Sequence, residues 1–515
     1  MKPAWRAALV FVCCFVWLAF TAIRTPLAGG FIDPVGHIRP QDEAVYGHIS
    51  MKMAASGDWL TPRFMGRPAL FKPPLLYWLS AASVKLFGDA TLSLRLPSLL
   101  AGALLPALLA IWIGGSRGIL AGILLISNPL WYLLARANLT DALLTVCIAL
   151  ALVAASKDRR GAFAAATAAA LLTKGIAGLL PVIAVGVWWA LSPRAHRTPL
   201  LRWVMPVLSA FALAAPWFLF QSFANGKWFW TEFVQVEILG FSFGAPPQTT
   251  AENAILFFAR RLLQTDPVLL ALLAAAIPAA WKRWKGVAAV SFLVAWILAV
   301  LLACFSNQYR NFAYLLPAIP AMCWMASAYG PWKDAHTRWV ILAMVLLTAL
   351  RIYSPGKPWG LPSRAEEPSP AVASIREYAK LHRPHDLVLM ETGDEFAATT
   401  FGIPRLRYSF YAPEEAFRRY GLDVRSMGIA LTVDEFANPG ETTPRFAQRL
   451  QEWGVNSTEA IGTVIVVSTM EDIARLLTAG VNCDFVLPAK FRELDRGSHH
   501  AQEAGEGFVL LLARD

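Results

Sequence analysis

Long apolar stretches recur through the first two thirds of the chain, from residue 7 to about residue 353, and then stop. A helix needs about 20 apolar residues to cross a hydrocarbon core roughly 30 Å thick. About 11 stretches reach or approach that length, and we place these predicted spans at 7–23, 96–114, 118–135, 140–156, 161–173, 176–192, 203–221, 267–281, 286–306, 313–330 and 338–353. The pattern therefore predicts a mainly α-helical, polytopic membrane protein.

The first apolar stretch follows Lys2 and Arg6. Two interpretations fit this arrangement: a cleaved signal peptide, or a first helix that is retained. The stretch approaches spanning length and further membrane segments follow it, so we expect it to be retained.

Basic residues gather in alternate loops between the predicted spans. Because positively charged loops stay in the cytoplasm, we assign the N-terminus to that side, together with the loops that contain Arg117, Lys157, Arg159, Arg160, Arg194, Arg197, Arg202, Lys282, Arg283, Lys285, Lys333 and Arg338. This alternation places three regions on the opposite side: a first loop at 24–95, a second loop at 222–266 and everything after about residue 354.

The chain changes character at a Pro/Gly-rich linker that begins at Ser354. Mixed polar sequence follows, with short β-like runs at 387–390, 463–467 and 508–512 and helical patterns at 370–381 and 470–479. Such alternation is typical of a small α/β domain. We therefore predict two domains: a transmembrane domain at 1–353 with its two outer loops, and a periplasmic α/β domain at 354–515.

The composition excludes an ordinary soluble enzyme, because the chain of 515 residues is 56% hydrophobic and only 16% charged, whereas soluble domains are about a quarter charged. The cytoplasmic loops explain part of the net charge of +11, so we expect no nucleic-acid partner. Of the six cysteines, only Cys483 lies in the polar tail. This distribution provides neither a disulfide framework nor the spacing of a zinc site.

The first outer loop contains two adjacent carboxylates, Asp42 and Glu43, followed by Tyr46. Adjacent side chains on a helix point in different directions, so we expect at most one of these carboxylates to face a given reacting centre. A carboxylate at the bilayer surface can accept a proton from an acceptor hydroxyl as that group attacks a sugar carbon. The alternative is that both acids simply favour a helix N-terminus or a solvated loop.

Ionisable residues also interrupt the apolar spans, where each costs about 2.5–3.5 kcal/mol. Arg136 and Asp141 flank the outer junction of two predicted spans, and Lys174 and Arg310 lie at two further outer junctions. Convergent cations there would suit a lipid phosphate whose negative charge grows as its bond to a sugar breaks. The alternatives are structural: an Arg136–Asp141 ion pair that joins two helices, and snorkelling anchors at Lys174 and Arg310.

Several motifs in the membrane part together resemble one known family. They are Asp42 to Tyr46, Ser56-Gly57-Asp58-Trp59, Lys72-Pro73-Pro74-Leu75-Leu76-Tyr77-Trp78, residues 84–102, Ala135 to Asp141, Leu172-Thr173-Lys174-Gly175, Ala215-Pro216-Trp217, and Arg310 with Tyr314-Leu315-Leu316-Pro317. In this order they resemble the protein mannosyltransferase-like and lipid A aminoarabinose transferase-like glycosyltransferases, which have the C-type integral-membrane fold. The resemblance covers most of residues 1–330, and the tail is similar in placement and size to the periplasmic α/β domain of the aminoarabinose transferases.

The resemblance implies a protein of the bacterial inner membrane that uses a polyprenyl-phosphate-linked sugar donor, no nucleotide, and an acceptor approaching from the periplasm. It implies that Asp42 is the catalytic general base. It also implies a set of residues that contact the donor phosphate or the acceptor: Glu43, Tyr46, Lys72, Arg136, Asp141, Lys174 and Arg310. The sugar, a hexose or a pentose, stays open, as does the acceptor, which is lipid A, another glycolipid, a polysaccharide or a protein.

Two positions depart from the aminoarabinose transferases. The residue before Lys-Pro-Pro is usually Glu in those proteins but is Phe71 here, and their second outer loop usually reads Glu-His where this chain reads Glu237-Ile238. In that family the lost Glu and His act together as metal ligands, and neither Phe nor Ile can bind a metal ion. The cofactor therefore stays open: the chain works without that metal, rebuilds a site from His37, His48 or Glu237, or is a catalytically altered relative.

Two functional hypotheses follow. The first is an inverting glycosyltransferase, in which Asp42 assists an acceptor hydroxyl or phosphate while cations bind the departing lipid phosphate. The second is a non-catalytic relative that binds a polyprenyl lipid or a partner protein and regulates or scaffolds envelope assembly. The lost ligand pair favours the second hypothesis, and the retained motifs favour the first.

Overall fold

The computed structural model describes most of the apolar sequence and, in the tail, mainly the strands. The described residues are 3–23, 40–64, 67–88, 91–193, 197, 199–240, 253–283, 288–307, 310–331, 333, 336–354, 357, 359–361, 381, 386–390, 406–408, 462–467, 483–490, 499–503 and 508–514. The chain divides into two compact units. The first contains Met1–Thr25, Phe31–Ile38 and Phe71–Ala365, and the second contains Pro26–Gly30, Arg39–Leu70 and Glu366–Asp515.

Helices make up almost all of the described part of the first unit. In chain order the α-helices are α1 (Pro3–Ile23), α2 (Pro40–Ser56), α3 (Leu75–Phe87), α4 (Thr91–Ile113), α5 (Gly115–Ser127), α6 (Pro129–Ala135), α7 (Thr140–Ser156), α8 (Arg160–Lys174), α9 (Leu180–Leu191), α10 (Leu201–Ala224), α11 (Gly226–Phe229), α12 (Ala254–Thr265), α13 (Pro267–Arg283), α14 (Ala288–Ser306), α15 (Ile319–Tyr329) and α16 (Thr337–Ile352). Two 3-10 segments, Gly175–Leu179 and Phe312–Ala318, and a π-helix, Trp230–Gly240, complete the helical elements of the described residues. Of all these helices, only α2 lies in the second unit.

Several of these helices can cross a membrane. Within the described residues, 6 are long and apolar enough: Ala4–Ile23, Thr91–Ile113, Arg160–Leu191, Leu201–Ala224, Ala289–Ser306 and Phe312–Tyr329. The number rises to 8 if each of two sharply bent helix pairs, α5 with α6 and α12 with α13, counts as one span. The chain is therefore a multi-pass membrane protein. The total of about 11 spans stays a prediction, because helices such as α7 are apolar but shorter than a full crossing.

The stretch predicted as one span at 118–135 consists of two helices that meet at an angle of 71°. The break lies at Asn128, whose backbone is extended and whose side chain accepts a hydrogen bond from the Trp131 amide at 3.0 Å. Pro129 then occupies the first position of α6, where its missing N–H costs nothing. The Asn-Pro pair is thus a helix boundary inside an apolar pattern that by itself looks continuous.

The predicted outer loop at 222–266 contains the additional helix α12, which meets α13 at 108°. One side of α12 is buried through Phe257, Phe258 and Leu262, while Arg260 on the other side is exposed. An amphipathic helix of this kind carries charges that interrupt an apolar run. For that reason the pattern of long apolar stretches does not predict α12.

The spans predicted at 161–173 and 176–192 meet at a tight turn. Gly175 has a φ of +52°, which favours glycine. A Cβ atom on Gly178 would lie 2.3 Å from the backbone nitrogen of Leu171, although residues two turns apart on a straight helix are separated by about 11 Å. The 3-10 segment Gly175–Leu179 therefore folds back locally onto the backbone of α8, within a stretch that is long and apolar enough for one span.

A buried charged network joins three parts of the first unit. Arg351 donates to Asp266 Oδ1 at 2.7 Å, and Asn128 Nδ2 donates to Asp266 Oδ2 at 2.8 Å. Arg351 also donates to the backbone carbonyl of Ser127. The network therefore ties the α5–α6 break and the α12–α13 bend to the last turn of α16, with both charges almost completely buried.

The second unit contains α2 and all described strands. A small antiparallel pair is formed by β1 (Arg63–Phe64) and β2 (Arg67–Pro68). The other strands are β3 (Asp386–Met390), β4 (Leu406–Tyr408), β5 (Gly462–Val467), β6 (Cys483–Pro488), β7 (His499–Glu503) and β8 (Phe508–Ala513). They form one sheet in the order β4-β5-β3-β6-β8-β7, parallel from β4 to β6 and antiparallel at β8 and β7.

The tail's predicted β-like runs at 387–390, 463–467 and 508–512 are strands in this sheet. The predicted helices at 370–381 and 470–479 lie outside the described residues, apart from Leu381. The division into domains at 353/354 therefore stays a prediction.

Candidate functional site

The two candidate acids of the first outer loop lie in the first turn of α2, where negative charge is favoured by the helix dipole. Glu43 is 1% exposed, whereas the neighbouring Asp42 is half-buried. Tyr46, one turn further along, is also buried. The two carboxylates therefore have different surroundings, as their positions on a helix require. Their roles, and that of Tyr46, stay predictions.

Lys72 forms an ion pair with Glu237, with 2.7 Å between Lys72 Nζ and Glu237 Oε2. Both side chains are largely buried, at 16% and 22% exposure. Glu237 is on the π-helix, far from Lys72 in sequence. From the sequence, Glu237 is a candidate only as a substitute metal ligand, because nothing local identifies its partner.

Lys174 forms a second ion pair, with Asp141. Its Nζ atom lies 2.7 Å from Asp141 Oδ1 and 5.3 Å from the centre of the Tyr314 ring. Asp141 is in the first turn of α7 and Lys174 ends α8. The ion-pair partner of Asp141 is thus Lys174 and not Arg136, which the sequence offered as an alternative. Lys174 is held inside the helix bundle and does not act as a snorkelling anchor.

Gly175, which directly follows Lys174, lies against the two segments that carry the Lys72–Glu237 pair. A Cβ atom on Gly175 would lie 3.0 Å from the Phe233 ring and 3.9 Å from Pro73. Phe233 is on the same π-helix as Glu237, and Pro73 directly follows Lys72. The turn after Lys174 therefore packs against both segments that form the first ion pair.

Arg136 is buried at the end of α6, where its guanidinium lies 4.7 Å from the centre of the Tyr132 ring. Nearby in the same motif, Asn138 accepts a hydrogen bond from Ser80 at 2.9 Å. Arg310 is half-buried and donates to the carbonyl of Asn307. In the described part of the chain, no recorded ion pair or hydrogen bond joins Arg310 to either lysine–carboxylate pair.

The residues at the family's metal-ligand positions do not fit a metal ion. Phe71 and Ile238 are half-buried hydrocarbon side chains without a donor atom, and Glu237 is engaged by Lys72. Among the described residues, no three His, Cys, Asp or Glu side chains form a group that could hold a metal ion. Two candidates for a rebuilt site, His37 and the His48 side chain, lie outside what the structure describes.

Comparison with known proteins gives one family match. The family model described as dolichyl-phosphate-mannose-protein mannosyltransferase matches residues 71–220. This region contains Lys72, Arg136, Asp141 and Lys174. The resemblance predicted from the motifs is confirmed.

Curated relatives point to the same family. The undecaprenyl phosphate-alpha-4-amino-4-deoxy-L-arabinose arabinosyl transferase of Aeromonas salmonicida is 29% identical over 322 residues, covering 58% of this chain and 57% of that protein. A second transferase of this name, from Pseudomonas fluorescens, is 30% identical over 312 residues, covering 56% of this chain and 52% of that protein. The alignments thus span little more than half the length of these relatives.

Solved structures resemble the whole chain. ArnT from Cupriavidus metallidurans, bound to undecaprenyl phosphate, superposes with a TM-score of 0.65 at 17% identity and covers 99% of this chain and 98% of its own. The archaeal oligosaccharyltransferase AglB from Archaeoglobus fulgidus has a TM-score of 0.50 at 11% identity and covers 94% of this chain and 70% of its own. At these identities the likeness concerns the fold alone, and it confirms a polytopic membrane protein of the C-type glycosyltransferase fold.

Proposed function

We propose that this chain, a relative of the protein mannosyltransferase-like and aminoarabinose transferase-like membrane glycosyltransferases, transfers a sugar from a polyprenyl-phosphate carrier to an acceptor. The observation that carries the proposal is the gathering of family motif residues around Gly175. There Lys72 and Lys174, which come from different motifs, are each fixed by a carboxylate. Fixed ammonium groups are suited to bind a phosphate group.

In the proposed reaction, an acceptor oxygen attacks the anomeric carbon of the sugar. The bond from that carbon to the carrier phosphate breaks, its electron pair stays on the phosphate oxygen, and the configuration at carbon is inverted. Asp42 accepts the acceptor's proton, a contribution of about 10²–10⁴ to the rate. Lys72 and Lys174 stabilise the charge that grows on the leaving phosphate, because charge-assisted hydrogen bonds strengthen as the acceptor atom becomes more negative.

Five further residues are given proposed roles. Arg136 and Arg310 add positive charge for the phosphate, Asp141 holds Lys174 in place, and Glu43 and Tyr46 contact the acceptor or the sugar. We assign these roles from the family motifs. The side chains that carry them are buried or half-buried in the structure.

The names of the relatives suggest which substrates to test first. The curated relatives are arabinosyl transferases that use an undecaprenyl phosphate carrier, and the ArnT structure contains undecaprenyl phosphate. We therefore propose an undecaprenyl-phosphate-linked donor, with an aminopentose tested before a hexose. The acceptor is proposed to be lipid A, another envelope glycan or a protein, at the periplasmic face of the inner membrane.

The decisive experiment compares two aspartates. Purified protein with undecaprenyl-phosphate-linked aminoarabinose and lipid A is analysed by mass spectrometry for a gain of one sugar. Asp42→Asn should lower the rate by about 10²-fold or more, while Asp158→Asn, at an exposed position between α7 and α8, should retain it. Equal rates in the two variants would remove Asp42 from the mechanism.

A second candidate function is supported by the two departures at Phe71 and Ile238. A relative that had lost catalysis would still bind a polyprenyl lipid and could scaffold envelope assembly. Mass spectrometry of envelope lipids and glycans, from cells with and without the gene, separates the two candidates. A sugar mass that disappears with the gene, together with transfer by the purified protein, would exclude the non-catalytic function.

A further inference from the structure

Two short segments of the first unit are fastened to each other by one ion pair. The first is 71–72, which precedes α3, and the second is 237–238, near the end of the π-helix. The bond between Lys72 Nζ and Glu237 Oε2 is 2.7 Å long and mostly shielded from water. A second contact supports the same approach, since Pro73 and Phe233 both lie against Gly175.

The same two segments carry the family's metal-ligand positions. The residues at those positions, Phe71 and Ile238, are the immediate sequence neighbours of Lys72 and Glu237. A metal ion bound by a carboxylate at the first position and an imidazole at the second would connect the two segments. In this chain the connection exists, and it is made by the adjacent residues of each segment.

We infer that the Lys72–Glu237 ion pair replaces a bound metal ion as the fastener between these segments, so that this chain holds its site together without a divalent cation. The sequence left three possibilities open for the cofactor: no metal, a rebuilt metal site, or a catalytically altered relative. The ion pair favours the first of these, a protein that works without the metal. This inference goes beyond the proposed transfer activity, and its tests are measurements of stability and metal content.

The surroundings of the pair suit this role. A π-helix is rarely found in long runs, but Trp230–Gly240 extends over 11 residues. A contact with another segment near its end therefore stabilises this π-helix. Phe71 lies beside Lys72, with 6.0 Å from the ammonium nitrogen to the ring centre. With an aromatic ring in place of a carboxylate at position 71, Glu237 is the anionic partner of this lysine among the described residues.

The pair also keeps Lys72 available for an anion. An ammonium group has three N–H donors, and the bond to Glu237 uses one of them. Glu237 is thus a positioning residue in this inference: it acts through Lys72 and is not assigned a contact with substrate.

The inference is tested on the full-length protein purified in detergent. Metal content is measured by elemental mass spectrometry, and thermal unfolding is followed with and without EDTA. We expect a substoichiometric amount of divalent metal ion per chain. We also expect that EDTA does not change the Tm. A stoichiometric metal ion whose removal lowers Tm would overturn the inference.

Variants of the pair provide the second arm. Glu237→Ala should lower Tm by about 2–4 °C, whereas Gln235→Ala, at an exposed position on the same π-helix, should not. The charge-swapped pair Lys72→Glu with Glu237→Lys should recover most of the stability that either single change removes. If Glu237→Ala matches Gln235→Ala, or if the swap restores nothing, the ion pair is not the fastener. Neither readout depends on sugar transfer, so failure of the proposed function is distinguishable from failure of this inference.

Discussion

Lys174 and Asp141 illustrate what determines a functional side chain's partner. They are 33 positions apart in sequence, yet α7 and α8 are antiparallel neighbours joined by a short loop, so the end of one helix lies beside the start of the other. The high cost of an unpaired charge in an apolar environment then favours the ion pair. Arg136, although closer to Asp141 in sequence, is stacked on Tyr132 instead.

This pair can be tested by a double-mutant cycle. Asp141→Asn or Lys174→Gln alone should each lower the free energy of unfolding by about 2–3 kcal/mol, because the remaining charge loses its partner in a mostly buried position. The double variant should lose less than the sum, with a coupling of about 0.5–3 kcal/mol. Equilibrium unfolding in mixed detergent measures all three values. Strictly additive losses would contradict a direct interaction.

At the residue scale, the sequence identified which charges are costly but not which of them meet. Arg136, Asp141, Lys174 and Arg310 stood out because ionisable residues are rare inside apolar spans. Glu237 did not stand out as a partner of Lys72, since it lies in the predicted second outer loop, 165 positions away. Pairing over such a distance depends on the chain path, which no local pattern encodes.

At the element scale, the turn between α8 and α9 depends on the absence of a side chain at Gly178. Gly178→Ala should destabilise the protein by about 2–3 kcal/mol or prevent folding, because the new methyl group would meet the backbone of Leu171 and Ala170. Gly186→Ala in α9 is a matched control, as no atom lies within 4 Å of its Cβ position. That control should be neutral or slightly stabilising, since alanine favours helix.

Yield in membranes and Tm in detergent distinguish these two glycine variants. A Gly178→Ala protein as stable as the Gly186→Ala protein would mean that the turn is looser than the structure indicates. The prediction divides this stretch into two spans because the Lys174-Gly175 pair interrupts the apolar pattern, whereas in the structure Arg160–Leu191 forms one stretch long and apolar enough for a single span.

The buried Asp266–Arg351 ion pair also connects helices, because it joins two bent helix pairs to α16. Asp266→Asn should cost about 3–5 kcal/mol, because it leaves the Arg351 charge buried without a counter-ion. Combining it with Arg351→Leu should recover part of that loss by removing the second charge. Thermal unfolding measures the three variants, and a double variant less stable than Asp266→Asn would contradict this account.

For the whole molecule, the distribution of basic residues predicts the N-terminus inside and the C-terminal tail outside. Alkaline phosphatase fused after Asp515 should be active, whereas a green fluorescent protein at the same position should not fluoresce. Fusions after Lys157, in a predicted cytoplasmic loop, should give the opposite pair of results. An inactive phosphatase at the C-terminus would reverse the assigned orientation and exclude a periplasmic site.

The sequence by itself determined the class of this protein, because long apolar stretches are a property of contiguous residues and require a membrane solvent. Its motifs resemble those of one glycosyltransferase family, and that resemblance implied the C-type fold. The same resemblance implied that two ligand positions are lost, at Phe71 and Ile238. Only the tertiary structure decided that Lys72 meets Glu237, that Lys174 meets Asp141 and that Gly175 packs against Phe233 and Pro73. Such contacts arise from helix packing between distant segments, where the free energy depends on three-dimensional neighbours and not on neighbours in the chain.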